Sequence, residues 1–354
     1  MCHPVIDVHA HLWAADIESA TEALPGRAEQ RRLEHRRLGD VSADVGASQL
    51  RSRLPLLVDV DQRLAAMTAA GIDAQVVSIT PTQYHHWIRD PAAARELAHL
   101  THEVIAAHCA ARPEQLVGLG VIPQQFPALA ADALDDAFAH GLRGVEISTH
   151  APDPDRGAPI ELSDRRYDDF WVRAVHLGAV IFLHPWGCTL DDRLSQWYLS
   201  NSVGQLVEHT VALSHLIVGG VLERFGQLRV IVGHGGGYLP GTMTRADHAW
   251  RERLDARTTP RPPSSYLPQL FFDSLVHEPA ALRRLVDEVG YDHVLLGSDY
   301  PFDMGDPDPC GRLRAAGLEP RAISAVAGGN AARIGLAPGP RPVTLSSTDQ
   351  KEAT

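Results

Sequence analysis

Two histidines, His9 and His11, stand one residue apart in VIDVHAHLW, and that spacing can do chemistry. Alternate residues of a strand share a face and lie roughly 6–7 Å apart, so both imidazoles can reach one ion. Three more polar residues end apolar runs: His184 follows AVIFL, His234 follows RVIVG, and Asp299 follows VLLGS. Imidazole and carboxylate ligands with one open position suit a catalytic divalent cation. Zn²⁺ is the ion expected, and Mn²⁺, Co²⁺ or Fe²⁺ would also fit such donors. A His-x-His pair alone is weak evidence, since nineteen histidines are present and some coincidence is inevitable. The signal is that five such residues fall at the ends of four apolar runs, the first, fifth, sixth and eighth.

Other chemistries drop out. The only lysine is Lys351, near the C-terminus. A catalytic Schiff base in the folded body is therefore excluded, and so is a carbamylated lysine bridging two metals. Gly235, Gly236 and Gly237 expose backbone N–H groups but lack the neighbours of a phosphate-binding loop or dinucleotide fingerprint. They are read as a tight turn that brings His234 into place. The net charge of −12 argues against nucleic acid or an anionic membrane as partner. No apolar run is long enough to span a bilayer. The opening MCHPVIDVHAH lacks the features of a secretory leader, and the four cysteines show no paired spacing. A reduced, cytoplasmic protein is the expectation.

What must position these residues is a set of strands. Runs at Val5–His9, Ala74–Ile79, Leu116–Ile122, Gly144–Ser148, Ala179–His184, Leu228–His234, Leu270–Leu275 and His293–Asp299 read as strands. Stretches such as 61–70, 127–140, 167–177 and 278–289 carry helical spacing of apolar residues. Eight strands alternating with helices predict an α/β fold, a closed (β/α)₈ TIM-like barrel; an open doubly wound sheet is the alternative. In such a barrel, polar residues at the C-terminal strand ends converge on the active site. One barrel domain is expected over residues 1–336. Residues 14–57 are polar and arginine-rich and read as an insertion, a cap over the barrel mouth or a solvated loop or helix. Residues 337–354 read as a disordered tail.

The segments IDVHAHLW, LHPWG, GHGGGYLP and GSDYPFDMGDP resemble the decarboxylase branch of the amidohydrolase superfamily. The likeness is to the aminocarboxymuconate-semialdehyde decarboxylase family. It runs from about residue 5 to residue 336, with GGVLERFGQLRVIVGHGGG, FFDSLVHEP and GNAARIGL in order. The resemblance implies a (β/α)₈ barrel, one divalent metal, and loss of CO₂ from an unsaturated or aromatic acid without oxidation. It implies His9, His11, His184 and Asp299 as metal ligands, and His234 as an acid/base beside the metal-bound water. It places Arg51, or Arg53 in its stead, and Arg245 on substrate carboxylates, Arg245 being donated by a neighbouring subunit of a homodimer. One departure concerns WYLSNSVG, where the family's tryptophan is replaced by Asn201. A stacking wall has become a small amide, so the acid used is expected to differ.

The expected activity is metal-dependent, non-oxidative decarboxylation of a small carboxylic acid. His234 and Asp299 would move protons, arginine forks would hold carboxylates, and Trp186 and Phe302 would form apolar walls. Hydrolysis of a lactone, ester or amide, or hydration, could run on the same scaffold, and a metal-bound scaffold without activity is the remaining rival.

Overall fold

A computed structural model describes residues 3–339. The apolar runs form eight parallel strands, named here β1 (Ile6–Leu12), β2 (Ala74–Ile79), β3 (Leu116–Gly118), β4 (Gly144–Ile147), β5 (Val180–Leu183), β6 (Arg229–Val232), β7 (Leu270–Asp273) and β8 (Val294–Leu295). They pair as β1-β2-β3 and as β4-β5-β6-β7-β8, every neighbour parallel. Single links complete the ring. Gly120 bridges to Val145, and Ala10 bridges to Tyr300. Val8 N donates to Leu296 O and Asp299 N to His9 O, each at 2.8 Å. The closed barrel is thus the architecture that the alternation of strands and helices predicts.

Two strands fall furthest short of their apolar runs. The runs at Leu116–Ile122 and His293–Asp299 form ladders only over β3 and β8. Beyond Leu295 the backbone divides its hydrogen bonds: Leu296 N turns to Val326 O, while Leu296 O takes the Val8 amide. His293 closes a short 3-10 turn, Tyr291–His293, before β8 begins.

Strand β1 carries an irregularity that decides the site. Its register on β2 slips between Asp7 and Ala10, where three steps of β1 face two of β2. One extra residue reverses the parity of a strand. Ile6 and Val8 pack in the inner cluster with Val76, Val117, Val180, Phe182, Ile231 and Leu295. Without the slip, His9 and His11 would face the helices. With it, they follow Val8 inward, and Leu12 joins the outer cluster between strands and helices. On the outer side Asp7 accepts from Gln75 Nε2 at 2.9 Å and Ser298 Oγ at 2.6 Å. Buried Arg63 donates to Gln75 Oε1 at 2.7 Å and His11 O at 2.6 Å. The Asp7 carboxylate, the Gln75 amide and the two Arg63 Nη groups of that buried layer so gain partners, which offsets their desolvation.

Residues 14–57 hold three helices: α1 (Ala15–Thr21), α2 (Arg27–Leu38) and α3 (Asp40–Val58). The helices expected at 61–70, 127–140, 167–177 and 278–289 are present, within a few residues at each end. Among the described residues no helix is long and apolar enough to cross a membrane. Most of the tail expected over 337–354, from residue 340 on, lies outside the described residues.

Candidate metal centre

The C-terminal ends of β1, β5 and β8 bring His9, His11, His184 and Asp299 together, with one ligand atom of each within 4.8 Å of the others. His9 Nε2 is 3.5 Å and His11 Nε2 is 3.2 Å from Asp299 Oδ1. The ring centroids of His9, His11 and His184 lie 5.0–5.1 Å apart. Each ring's other nitrogen is anchored. His9 Nδ1 lies 2.6 Å from Asp273 Oδ2, His11 Nδ1 3.3 Å from Ile79 O, and His184 Nδ1 3.0 Å from Pro185 O. Those acceptors hold the proton on Nδ1 and leave the Nε2 lone pair facing the centre. His9 Nε2, His11 Nε2, His184 Nε2 and Asp299 Oδ1 are all buried and have no hydrogen-bond partner. Four orphaned polar atoms aimed at one point are costly unless a cation takes them up, so the donor set fits a divalent ion.

Electrostatics agree. Burial disfavours charge on His9, but the Asp299 and Asp273 carboxylates outweigh it and raise that imidazole to about 9. Burial opposes ionisation of Asp299 too, yet His9 and His11 hold it well below the usual carboxylate range. His184 is held well below an ordinary imidazole, first by burial and then by His234 and its other histidine neighbours. The centre therefore draws positive charge, and His184 stays a neutral donor.

His234 sits beside this centre, at the end of β6. Its Nε2 is 3.8 Å from Asp299 Oδ2, and its ring is 4.9 Å from that of His184. Gly233 follows the strand, and His234 itself adopts φ 52°, as Asp299 adopts φ 58°. Left-handed backbone is strained for residues with a Cβ and persists where the surroundings enforce it. The three glycines after His234 all have positive φ, which is the tight turn the sequence implies. A Cβ at Gly236 would lie 2.6 Å from Phe272, so only glycine lets the loop pass there.

A cavity of about 500 Å³ opens onto His184 and Asp299. Trp186, Phe302 and Asn201 line it, and the Phe302 ring lies 5.5 Å from His11. Arg53 lines it as well, while Arg51 is exposed and does not. Of the two arginines weighed, then, the second faces the chamber, and its Nη1 donates to Pro301 O. Arg245 is exposed on the helix Leu239–Glu252 and does not line the cavity of its own chain. A larger cavity of about 1150 Å³ lies beside α2 and contains His150, but it holds none of the converging ligands. His150 Nδ1 is 3.1 Å from Glu208 Oε2.

Four contributors were not singled out from the sequence. Asp273 ends β7 and orients His9; its other oxygen accepts from Gly235 N at 2.8 Å and Leu275 N at 3.2 Å. Glu146 on β4 is buried, accepts from Ser78 and Tyr84, and lies 3.9 Å from His11 Nδ1. Burial pushes its carboxyl upward. His209, wholly buried on the helix Leu206–Ile217, meets His234 Nδ1 through Nε2 at 3.0 Å. Polar residues inside the apolar runs FFDSL and GVEIS were the available signal for the two acids; His209 and Tyr84 carried none.

Residues 6–334 match the sequence profile of the amidohydrolase family. The chain belongs to that family. This amidohydrolase is 33% identical over 254 residues to the 2-amino-3-carboxymuconate-6-semialdehyde decarboxylase of Dictyostelium discoideum, covering 71% of this chain and 69% of that protein. Its fold superposes on the 5-carboxyvanillate decarboxylase of Sphingomonas paucimobilis with TM-score 0.80 at 24% identity, over 94% of this chain and 98% of that one. A dihydroxybenzoic acid decarboxylase from Polaromonas sp. JS666, solved with bound manganese and 2-nitroresorcinol, superposes with TM-score 0.77 at 21% identity, over 94% and 97%. The resemblance to decarboxylases of this family thus holds over most of the barrel.

Proposed function

We propose that this amidohydrolase is a divalent-metal-dependent, non-oxidative decarboxylase of an unsaturated or aromatic carboxylic acid. The observation that carries the reading is the convergence of four orphaned ligand atoms beside His234 at the floor of an apolar chamber. His9, His11, His184 and Asp299 would hold the ion. Three imidazoles and one carboxylate suit Zn²⁺, and the manganese in the Polaromonas structure makes Mn²⁺ the second candidate. When bound, the ion would polarise a substrate oxygen and stabilise negative charge that develops there.

The chain's own residues supply the rest. A C–CO₂⁻ bond breaks only if its electron pair has somewhere to go, and protonating the ring or chain carbon beside the carboxylate creates that sink. His234 stands where it can deliver the proton, and Asp299 Oδ2 lies 3.8 Å away to relay it. Trp186 and Phe302 would flank the substrate plane, and Arg53 would hold a carboxylate or phenolate through its planar fork. Helix α3 would act as the cap over this mouth, within one domain spanning residues 1–336. We assign Arg245 to the chamber of a second copy, since its own chamber does not contain it. A reduced cytoplasmic setting suits Cys109 and Cys310, both buried thiols, the first pushed up to about 12 by burial.

Incubating the metal-loaded enzyme with a panel of unsaturated and hydroxylated aromatic acids, and trapping CO₂, tests this reading. Release of CO₂ that a chelator abolishes is the result expected. Turnover of lactones or esters, with no CO₂ from any acid, would make the chain a hydrolase instead.

A further inference from the structure

Helix α3 presents one stripe to the catalytic chamber. Its lining residues include Val41, Val45, Gly46, Gln49, Leu50 and Arg53, which recur at helical spacing. The stripe is graded. Arg53 is the end tied to Pro301, next to the metal centre, whereas Val41 and Val45 lie two to three turns away. Val41 is 79% and Val45 52% exposed, and Trp197, which lines the same chamber, is 83% exposed. Large apolar groups left open along a cavity that ends at an active site call for an apolar occupant. Gly46 adds a second sign. A glycine inside a helix is unfavourable, and a Cβ built there meets nothing within 4 Å, so no packing demands it. It lines the chamber without a side chain to fill it.

We propose that the chamber takes an aromatic or unsaturated acid bearing an apolar substituent of several carbons. The leaving carboxylate sits at the metal end and the substituent runs along α3 toward Val41 and Trp197. This rests on the decarboxylase reading and narrows it to a substrate class. A substituent para to the carboxylate points directly away from the metal, so a para-alkyl acid is the fitting probe.

The test compares 2,6-dihydroxybenzoate with its 4-pentyl derivative on the metal-loaded enzyme, by kcat/KM and by calorimetric binding. The wild type should favour the pentyl acid by roughly fourfold per buried methylene. Gly46→Leu, which fills the open space, should bring that ratio toward one, while Ser48→Leu, off the chamber, should leave it as in the wild type. Turnover of the plain acid with no gain from the pentyl group overturns the inference and leaves the decarboxylase reading standing. If neither acid releases CO₂, the activity on this acid class fails. Binding then still decides the inference: preference for the pentyl acid that Gly46→Leu removes supports it, and equal binding overturns it. Equal binding together with a Val45→Asp variant of halved solution mass would give the apolar stripe to a second copy of the chain, against the proposal.

Discussion

His9 Nδ1 and Asp273 Oδ2 lie 2.6 Å apart, and both side chains are fully buried. The carboxylate accepts the Nδ1 proton, which leaves the Nε2 lone pair on the side of Asp299. Asp273→Asn keeps a carbonyl oxygen for Gly235 N and Leu275 N but turns an NH₂ toward His9. The imidazole must then accept on Nδ1 and carry its proton on Nε2, where the ion would bind. We expect metal affinity to fall about 10- to 100-fold, the usual effect of losing such a partner, in chelator competition. Unchanged affinity would show that His9 is not held as a ligand.

His234 sits outside the four-atom cluster yet within 3.8 Å of Asp299. His234→Asn should therefore keep one divalent ion per chain by elemental analysis, while CO₂ release falls by about 10²–10⁴-fold, the range of a general acid or base. His11→Ala, by contrast, should lose the ion and the activity together. Loss of metal from the His234 variant would move that residue into the ligand set.

The barrel and its candidate ligand cluster were legible because each member ends an apolar, strand-like run, and barrel strands point their ends to one mouth. The β1 irregularity was not legible. Strict alternation from Ile6 and Val8 would turn His9 outward, and one extra residue leaves no mark in the sequence. Asp273 obeys the same strand-end logic as Asp299, but FFDSL lacks a neighbouring histidine to draw the eye. His209 lies on a helix that the sequence shows only as apolar. Its role depends on which ring nitrogen reaches His234 across the fold, and that is a tertiary fact.

Arg51 and Arg53 separate on simple helix geometry. Steps of four along α3 from Val41 reach Val45, Gln49 and Arg53, all facing the chamber. Arg51 stands about 200° around the axis from Gln49 and is exposed. Arg53→Ala should lower kcat/KM for the acid by about 10-fold or more, the cost of one charge-assisted hydrogen bond. Arg51→Ala should leave it within experimental error. The reverse outcome would mean that α3 turns about its axis when substrate enters.

His85 makes acid a threat to stability before it touches the chemistry. It is buried, and burial first, then the Arg27 charge, lowers it to about 3. Trp87 Nε1 donates to its Nδ1 at 3.2 Å, so the neutral ring is the one the fold uses. The unfolded chain takes up this proton near pH 6.5, whereas the folded chain resists until about pH 3. Stability is thus indifferent to this group above pH 6.5 and is lost as pH falls from there toward 3. The slope approaches about 1.4 kcal/mol per pH unit below 5.5. Asn suits the left-handed backbone at this site, φ 52°, and offers an oxygen to Trp87. Urea unfolding of His85→Asn at pH 7 and pH 5 should show a shallower loss on acidification than the parent. Equal losses in the two proteins would place the acid sensitivity elsewhere, in His86 or His108, which burial lowers to about 3 and about 4.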